Sequence, residues 1–460
     1  MNIILTGAGK VGYAVAERLA REGHDLTVID QRAERITQIS NALDVISVEG
    51  NGASFSLLAD LNIRSADILI AATGQDEVNL VCSTVARQLS ADRDGEPLHI
   101  IARIKAQEYA GHPGMLLDGF GISMVVNPDK EAAREIYRVL RFPSATRVET
   151  FSGGKVEMVE YRIPEGSPMD GLPLHQLYKT YKTKVLVCVV ERSDEICIPN
   201  GQFVLRSGDR LSITASRSEL HAFFKAVGAY RKAARTVLIL GGSHIAVYLT
   251  RLLLEVGVKV TIIEKDRDIC ERLCQLLPRA SVICGDGTKR EVLLEEGLKN
   301  TDAFVAVTGF DESNIITSMY AVTQGVGKVA AKVNEEHMIG MLDGSGLDCF
   351  ITPKQVVAQQ IVRYVRALQN SVGSSVERLY QLMDGQVEAL EFVVRASSRC
   401  VGIPLKELQF KPGTLVAALI RNGSCIIPDG ETALQEDDHA IVVTSSRGLR
   451  ELDDTLKEGA

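Results

Sequence analysis

The chain has 460 residues, 45% of them hydrophobic and 24% charged, and its 51 basic and 59 acidic side chains give a net charge of −8. This composition excludes wholesale disorder, and the length suggests about three domains at ~150 residues each. The acidic balance argues against nucleic-acid binding. No apolar run approaches the roughly 18 residues of a membrane span and no signal peptide is recognisable, so we expect a cytoplasmic protein.

The first predicted elements frame a glycine-rich segment. The strand-like residues Asn2–Thr6 lead into Gly7-Ala-Gly-Lys-Val-Gly12 and an amphipathic helix, and Asp30 ends the next predicted strand. The first glycine permits a tight turn, the second lets a diphosphate approach the backbone, and the third allows close packing of helix on strand. Asp30 would accept hydrogen bonds from ribose and repel a 2′-phosphate, which favours NAD or an adenine nucleotide over NADP. The alternative is a Rossmann-like sheet whose site is empty.

Further polar residues close the later strands of the first half. Asn51, Thr73 and Arg103 each lie at the carboxyl end of a predicted strand, where doubly wound folds bind their ligands. Thr73-Gly74 would bend the backbone past a base or ribose, and Arg103 would meet a phosphate. Lys10, within the glycine loop, would contact a terminal phosphate. The alternative for each of these residues is a side chain that is simply solvated.

A second kind of module follows the first. Asn127-Pro128 begins a long predicted helix that ends near Arg141, because an N-cap residue followed by proline is a standard helix start. Short strands separated by proline and glycine turns come next, including Ile198-Pro-Asn-Gly201 and Ser207-Gly-Asp209. This pattern indicates a small α+β domain.

The same series of elements then recurs in the second half. Gly241-Gly-Ser-His-Ile-Ala246 follows a strand as the first loop does, and Glu264 ends the next strand as Asp30 does. The segments T-G-Q-D-E-V-N and T-G-F-D-E-S-N, which begin at Thr73 and Thr308, also match. The chain is therefore two copies of a unit of roughly 230 residues, each a nucleotide-type domain followed by a small one. Alternating strands and helices in the first type predict a doubly wound parallel sheet of the α/β class.

The second glycine loop departs from the first. Ser243 replaces the middle glycine and Ala246 the last, so the approach of a diphosphate is less secure, although Glu264 could still hold a ribose. His244 would either contact a ligand or merely begin the helix. Asp286, Thr308 and Lys332 occupy the strand ends that correspond to Asn51, Thr73 and Arg103.

We expect domain boundaries at 1–144, 145–230, 234–370 and 371–457. The first and third of these domains would end with the helices that start at Pro128 and Pro353, the second helix ending near Arg366. Both helices carry an apolar face that would cross over to a neighbouring chain or pack on its own sheet. The residues of these faces are Ala132, Ile136, Val139, Leu140, Val356, Val357, Ile361, Val365 and Leu368.

Chemistry-bearing motifs are missing from the sequence. We recognise no acid–base constellation at hydride-transfer reach, no G-x-S-x-G or G-x-x-x-x-G-K-[ST] motif and no paired histidines, so we predict no catalytic and no metal-binding residues. Repeated nucleotide domains without chemistry suggest a sensor whose ligand shifts a conformational equilibrium. An NAD-dependent oxidoreductase remains the alternative, supported only by the first loop and Asp30. A redox-sensing DNA-binding regulator is a third, weakened by the absence of a basic recognition element.

The cysteine pattern favours reduced thiols. There are nine cysteines and no C-x-x-C pair, and Cys270 and Cys274 share one face of a predicted helix. Buried thiols are expected over disulfide or zinc chemistry.

Four features together resemble the TrkA family over essentially the whole chain: the alternating domain order, the first loop with Asp30, the paired T-G-x-D-E-x-N segments, and the pair G-L-P-L-H-Q-L and G-I-P-L-K-E-L. These proteins are peripheral nucleotide-binding subunits of bacterial Trk potassium uptake systems, built from RCK N-terminal and C-terminal domains. The resemblance implies a homotetrameric ring on the inner face of the membrane, beneath a channel-like membrane subunit. Nucleotide, NAD(H) or ATP/ADP, would alter the ring and so the ion flux.

The resemblance also assigns site residues. The first site would comprise Gly7, Ala8, Gly9, Lys10, Val11, Asp30, Thr73, Gly74 and Arg103. The second would comprise Gly241, Gly242, Ser243, His244, Ile245 and Glu264. Because Asn51 stands where the second copy has Asp286, the two copies can select different ligands.

Overall fold

A computed structural model describes residues 1–93, 96–112, 114–193, 195–342, 346–347, 349–371, 376–383, 386–446 and 448–457. The contacts divide the chain into two compact units, Met1–Tyr137 with Thr236–Val365 and Arg138–Arg235 with Arg366–Ala460. The first unit thus holds both nucleotide-type domains and the second holds both small domains. Within the described ranges, no helix has the length and apolar character needed to cross a membrane.

The first nucleotide-type domain is a parallel sheet flanked by helices. Its strands are β1 Asn2–Thr6, β2 Asp25–Asp30, β3 Ile46–Glu49, β4 Ile68–Ala71, β5 His99–Arg103 and β6 Met124–Val126. Its helices are α1 Lys10–Arg21, α2 Ala33–Ala42, α3 Phe55–Asp60, α4 Asp76–Leu89, α5 Gln107–Ala110 and α6 Pro128–Arg141. The strand order is β3-β2-β1-β4-β5-β6, all parallel. The order reverses between β1 and β4, the point where such folds form their ligand crevice.

The first small domain is antiparallel. Its elements are β7 Arg147–Phe151, β8 Val156–Arg162, α7 Leu177–Tyr181, β9 Leu186–Arg192, β10 Glu195–Cys197, β11 Arg210–Ala215 and α8 Arg217–Ala226. The strands pair in the order β10-β9-β11-β8-β7.

The second nucleotide-type domain repeats the first. Its strands are β12 Thr236–Leu240, β13 Lys259–Glu264, β14 Ser281–Cys284, β15 Ala303–Ala306, β16 Lys328–Lys332 and β17 Phe350–Ile351. Its helices are α9 His244–Glu255, α10 Arg267–Leu276, α11 Arg290–Glu295, α12 Asp311–Thr323, α13 Glu336–Gly340 and α14 Pro353–Ser371. The parallel order β14-β13-β12-β15-β16-β17 matches the first sheet position by position. The predicted pair of doubly wound α/β sheets is therefore confirmed.

The second small domain contains β18 Val376–Leu382, β19 Val387–Val393, β20 Thr414–Arg421, β21 Ser424–Ile426 and β22 His439–Thr444. These strands pair antiparallel in the order β18-β19-β22-β20-β21, and a 3-10 turn at Leu452–Thr455 follows where the first copy has α8. One apolar cluster contains residues of both small domains, among them Phe151, Cys188, Leu382 and Ile441. The two copies thus share a core within the second unit.

Repeated turns in the small domains place one buried aspartate each. Asp209 binds Arg192 through both carboxylate oxygens, at 2.7 and 2.8 Å, and Asp438 binds Arg421 in the same way, at 2.9 and 2.7 Å. Bidentate pairs of this kind fix geometry as well as charge. The sequence repeat therefore reflects a repeated structural device.

The helices that close the nucleotide-type domains start as predicted, because Asn127 caps α6 with hydrogen bonds from the backbone N–H of Asp129 and Lys130, at 3.1 and 3.0 Å. The predicted end of α6 at Arg141 is confirmed, whereas the predicted end of α14 near Arg366 is wrong, since the helix runs to Ser371. No glycine or proline interrupts the sequence there before Gly373.

The start of α14 contacts the first nucleotide-type domain of the same chain. Gln355 accepts a hydrogen bond from the Arg18 guanidinium at 2.9 Å, and the ring of Tyr364 meets that of His99 edge-on. In the opposite direction, the Asn127 amide lies 3.5 Å from the hydroxyl of Tyr248 on α9. The helix that closes each nucleotide-type domain, or the residue that caps it, therefore contacts the other nucleotide-type domain of the same chain. The sequence did not predict this arrangement.

Candidate functional site

The first glycine loop joins β1 to α1, and two of its glycines are required by close backbone contacts. Gly7 has φ +96°, and a Cβ there would lie 2.8 Å from the Thr73 Cα. A Cβ on Gly12 would lie 1.8 Å from the Gly7 carbonyl oxygen, far inside contact distance. The loop therefore folds tightly against the end of β4 because neither position carries a side chain.

The middle glycine of this loop has a different role. Gly9 is the N-cap of α1, and no side chain among the described residues caps that helix. A Cβ on Gly9 would meet nothing nearer than the Arg35 guanidinium, at 3.6 Å. The first-turn backbone N–H groups of α1, including those of Lys10 and Val11, therefore lie at an open helix start, which is the usual setting for binding an anion.

Asp30 lies behind the loop and is 7% exposed. One carboxylate oxygen accepts from the Ala8 backbone N–H at 2.7 Å and faces the Arg35 guanidinium at 3.2 Å, and the other accepts from the Arg32 N–H at 2.9 Å. The carboxylate thus orients the loop. An ionised carboxylate offers about four acceptor positions, so capacity for a ribose hydroxyl remains.

The carboxyl ends of β4 and β5 are joined beside the glycine loop, on the side of the sheet that is called its ligand edge below. The Arg103 guanidinium donates to the Thr73 carbonyl at 2.6 Å, and its Nε is buried without a hydrogen-bond partner among the described residues. Burial lowers the pKa of Arg103, a shift that Asp76 opposes. Asn51 forms a local turn through a 3.0 Å hydrogen bond from the Ala53 N–H, and its side chain remains exposed.

The Asp and Asn of the two T-G-x-D-E-x-N segments, which the sequence showed only as markers of the repeat, form structural clamps. The buried Asn79 accepts from the Thr73 N–H and hydroxyl at 2.9 and 2.7 Å and donates to the Arg103 carbonyl at 2.8 Å. Asp76 accepts from the Lys105 and Ala106 N–H groups at 2.8 and 2.7 Å. The clamp holds Thr73 and Gly74 beside the glycine loop. Sequence reasoning did not single out Asp76 and Asn79, and the one signal that could have found them is an Asp and an Asn that recur at the same spacing in both copies.

The second domain has the same clamp. Asn314 accepts from the Thr308 N–H and hydroxyl at 2.9 and 2.7 Å and donates to the Lys332 carbonyl at 2.9 Å. Asp311 accepts from the Asn334 and Glu335 N–H groups at 2.7 and 2.9 Å. Thr308 and Lys332 therefore occupy the positions of Thr73 and Arg103.

The second glycine loop differs at the helix start. Ser243 is the N-cap of α9, and its hydroxyl accepts from the Ala246 N–H at 3.4 Å. His244 is the exposed first helical residue, and Ile245 is buried. The helix start that is open in the first domain therefore carries its own capping side chain in the second.

Glu264 supports this loop as Asp30 supports the first. Its carboxylate accepts from the Gly242 N–H at 2.6 Å and from the Asp266 N–H at 2.9 Å. A Cβ on Gly242 would lie 2.7 Å from a methyl group of Ile269 and 3.1 Å from the Glu264 carboxylate. Glycine at position 242 leaves room for the Ile269 and Leu273 side chains and for the Glu264 carboxylate, whereas the corresponding position of the first loop holds Ala8. Gly241 keeps the left-handed turn, with φ +100°.

The remaining strand-end residues of the second domain also lie at this edge. Asp286 accepts from the Thr288 hydroxyl and N–H at 2.7 and 3.1 Å, and these hydrogen bonds lower its pKa. Burial lowers the pKa of Lys332, a shift that nearby Asp311 and Asp129 oppose. Asp129 belongs to the first domain.

One ion pair crosses between the two edges. The Lys10 ammonium lies 3.0 Å from a carboxylate oxygen of Glu335, and both side chains are exposed. A residue at the start of the first loop helix thereby contacts the segment that the second domain's clamp positions. The structure thus gathers the predicted residues into two edges that contact each other.

The fold and these edges define a class: a tandem RCK-type protein with two Rossmann-like domains and two small domains. The family model described as TrkA-N domain matches residues 3–128 and 237–353, and the model described as TrkA-C domain matches residues 158–228 and 389–457.

Relatives give the same assignment. The chain is 31% identical to a Trk system potassium uptake protein TrkA homolog of Archaeoglobus fulgidus, covering 99% of this chain and 100% of that one. It is 30% identical to the Trk system potassium uptake protein TrkA of Halomonas elongata, covering 100% and 99%. The chain belongs to the TrkA family.

Solved structures share the fold at low identity. The GsuK RCK domain has a TM-score of 0.61 at 17% identity, over 97% of this chain and 92% of that one. The GsuK channel bound to NAD has a TM-score of 0.61 at 18% identity, over 97% and 77%.

Proposed function

We propose that this chain is a nucleotide-sensing regulatory subunit that gates a Trk-type potassium uptake channel. It binds an integral-membrane Trk subunit at the inner face of the membrane and works as a homotetrameric ring. The names of the relatives, which are Trk system potassium uptake proteins, support the assignment to potassium uptake. The domains are those expected at 1–144, 145–230, 234–370 and 371–457.

The ligand is NAD(H), with ATP or ADP as alternative ligands, and the first domain is its principal site. The observation that carries this proposal is the open start of α1 facing a buried, ordered Asp30. A diphosphate would accept from the α1 N–H groups, and Asp30 would accept from a ribose hydroxyl. The fold shared with a GsuK channel whose structure is bound to NAD agrees with this choice.

Regulation acts through the contact between the two nucleotide edges. Lys10 is adjacent to the open helix start and pairs with Glu335 of the second domain. A phosphate bound at α1 competes with Glu335 for the Lys10 ammonium and so favours a different arrangement of the two domains. Ligand binding thus changes the arrangement of the domains, and this role needs no catalytic residues.

The test is potassium uptake by cells that carry wild-type protein or Asp30→Ala in place of the native copy, together with identification of the proteins that accompany each from gently solubilised membranes. We expect both to be recovered with a Trk membrane subunit, and only the wild type to show nucleotide-dependent uptake. Recovery without a transporter subunit, or uptake unchanged on deletion, would contradict the proposal. Steady hydride turnover with a small alcohol or keto acid would instead indicate an oxidoreductase.

A further inference from the structure

The second nucleotide-type domain carries three cysteines next to Glu264. Cys270 and Cys274 are the fourth and eighth residues of α10, and Cys284 ends β14. The matching positions of the first domain, in α2 and β3, hold Ile36, Ser40 and Glu49 instead. The thiols are thus a feature of one copy and are not required by the fold that both copies share.

The strand register brings Cys284 to the thiol of Cys270. Glu264 pairs with Cys284 across β13 and β14. The Cys270 thiol donates to the Glu264 carbonyl at 3.3 Å, and the Gly285 N–H donates to the same oxygen at 2.8 Å. The Cys270 sulfur therefore lies against the backbone at the point where Cys284 ends its strand.

The side-chain direction is also suitable. Ile283 packs into the apolar cluster formed with Leu293 and Phe304 on one face of the sheet. Because successive side chains of a strand point to opposite faces, Cys284 points to the other face, which α10 covers. Burial, and after it the neighbouring Cys284 thiol, raise the pKa of Cys270 to about 12.

Accessibility differs between the two thiols. Cys270 is 6% exposed, whereas Cys284 and Cys274 are exposed, and all three are free. An oxidant in solution therefore reaches Cys284 before it reaches Cys270.

We propose that Cys270 and Cys284 form a reversible disulfide when the protein meets a peroxide. The Cys284 thiolate attacks one peroxide oxygen, becomes a sulfenic acid and releases water after protonation. The Cys270 sulfur then attacks the sulfenic sulfur, and the departing hydroxide takes the Cys270 proton to leave as a second water. One peroxide is reduced by two electrons, and the two thiols are oxidised to one disulfide. A dithiol reverses the step by exchange.

The disulfide has a direct route to the second glycine loop. Ile269 and Leu273, which flank Cys270 on α10, would lie 2.7 and 2.8 Å from a Cβ on Gly242. Bonding Cys270 to Cys284 removes its hydrogen bond to Glu264 and fixes α10 on β14. The resulting change in nucleotide affinity at the second site rests on the proposed function, whereas the disulfide itself does not.

The test maps the bond in the intact protein without any nucleotide. The protein is treated with hydrogen peroxide, denatured, alkylated at its remaining thiols and digested without reduction for mass spectrometry. We expect a Cys270–Cys284 linked peptide that disappears after dithiothreitol, and two fewer alkylated thiols than the nine of the reduced chain. Cys274→Ser should keep the link and Cys284→Ser should abolish it, with Cys197→Ser as a control at an exposed cysteine elsewhere.

A link between Cys270 and Cys274 or between Cys274 and Cys284 would overturn the proposal. So would sulfinic acid on Cys284 with Cys270 still alkylated. Titration of the oxidised protein with NAD should show altered binding at the second site only, which dithiothreitol restores. Unaltered binding would contradict the link between the disulfide and the nucleotide site, and a mapped disulfide would still stand.

Discussion

The first and second glycine loops have the same backbone turn but present different helix starts. In the first, Gly9 leaves the start of α1 open, whereas in the second the Ser243 hydroxyl accepts from the Ala246 N–H of its own helix. The supporting acid also differs: Glu264 takes the place of Asp30, and the position that holds Ala8 in the first loop is Gly242, packed closely against Ile269, Leu273 and the Glu264 carboxylate. A duplicated domain can thus keep its fold while its binding edge changes, since the fold needs only small residues and the ligand needs open N–H groups.

The largest effect is expected from Gly12→Ala, which removes the close approach that the first loop depends on. The new methyl group would lie 1.8 Å from the Gly7 carbonyl oxygen, so the loop must move. Overpacking of this kind costs about 1–3 kcal/mol of stability, and first-site NAD binding should be lost. Thermal unfolding and calorimetric titration measure the two effects. Ala246→Gly is the matched control in the second loop, and NAD binding to Gly12→Ala with wild-type affinity would contradict the account.

Asp30→Ala tests whether Asp30, and not Glu264, supports nucleotide binding at the first site. It removes the acceptor of the Ala8 N–H and of a ribose hydroxyl, so the affinity for NAD and ATP should fall by about 1–3 kcal/mol. Equilibrium dialysis with each nucleotide measures the change. Glu264→Ala is the control and should leave first-site affinity intact. An affinity that Asp30→Ala does not change would place the ligand elsewhere.

Exchanging the residues at the two helix starts should change the nucleotide affinities of the two sites in opposite directions. Gly9→Ser fits without a clash because the nearest atom to its Cβ is 3.6 Å away, and Ser243→Gly removes the existing cap. A cap of this kind is worth about 0.5–2 kcal/mol, which a phosphate must overcome. Nucleotide titration should show weaker first-site binding in Gly9→Ser and stronger second-site binding in Ser243→Gly. A change in the same direction in both variants would refute the comparison.

The smallest effect concerns the ion pair between the two edges. Lys10→Ala removes an exposed pair with Glu335, which is worth about 0.2–1 kcal/mol and weakens with salt. Thermal unfolding at low and high salt should show a difference from wild type only at low salt. The matched residue of the second loop is His244, which has no ion-pair partner in the described part of the chain, and His244→Ala should change nothing. A loss that persists at high salt would mean that Lys10 has a further role.

The sequence was sufficient to predict the duplicated α/β fold because its evidence is local. Short apolar strands, glycine loops and the acids that end the second strand of each sheet recur at nearly constant spacing, and each has one structural meaning. The prediction ended α14 near Arg366, although the first glycine or proline after that residue is Gly373, which agrees with the observed end at Ser371.

Other features depend on three-dimensional neighbours. The clamp formed by Asp76 and Asn79 joins residues of different strands, and its sequence shows only that the two side chains recur. The ion pair between Lys10 and Glu335 joins residues that are far apart in the chain, and the sequence around neither residue predicts it. Similarly, the sequence places Cys270 on a helix face but does not bring Cys284 to it.

The most direct test of the central claim is a structure of the intact protein with NAD at less than one equivalent per nucleotide-type domain. The account predicts density for the dinucleotide in the first domain, with the diphosphate at the start of α1 and a ribose at Asp30, before any appears in the second domain. Equal occupancy of both domains, or occupancy of the second domain alone, would contradict it.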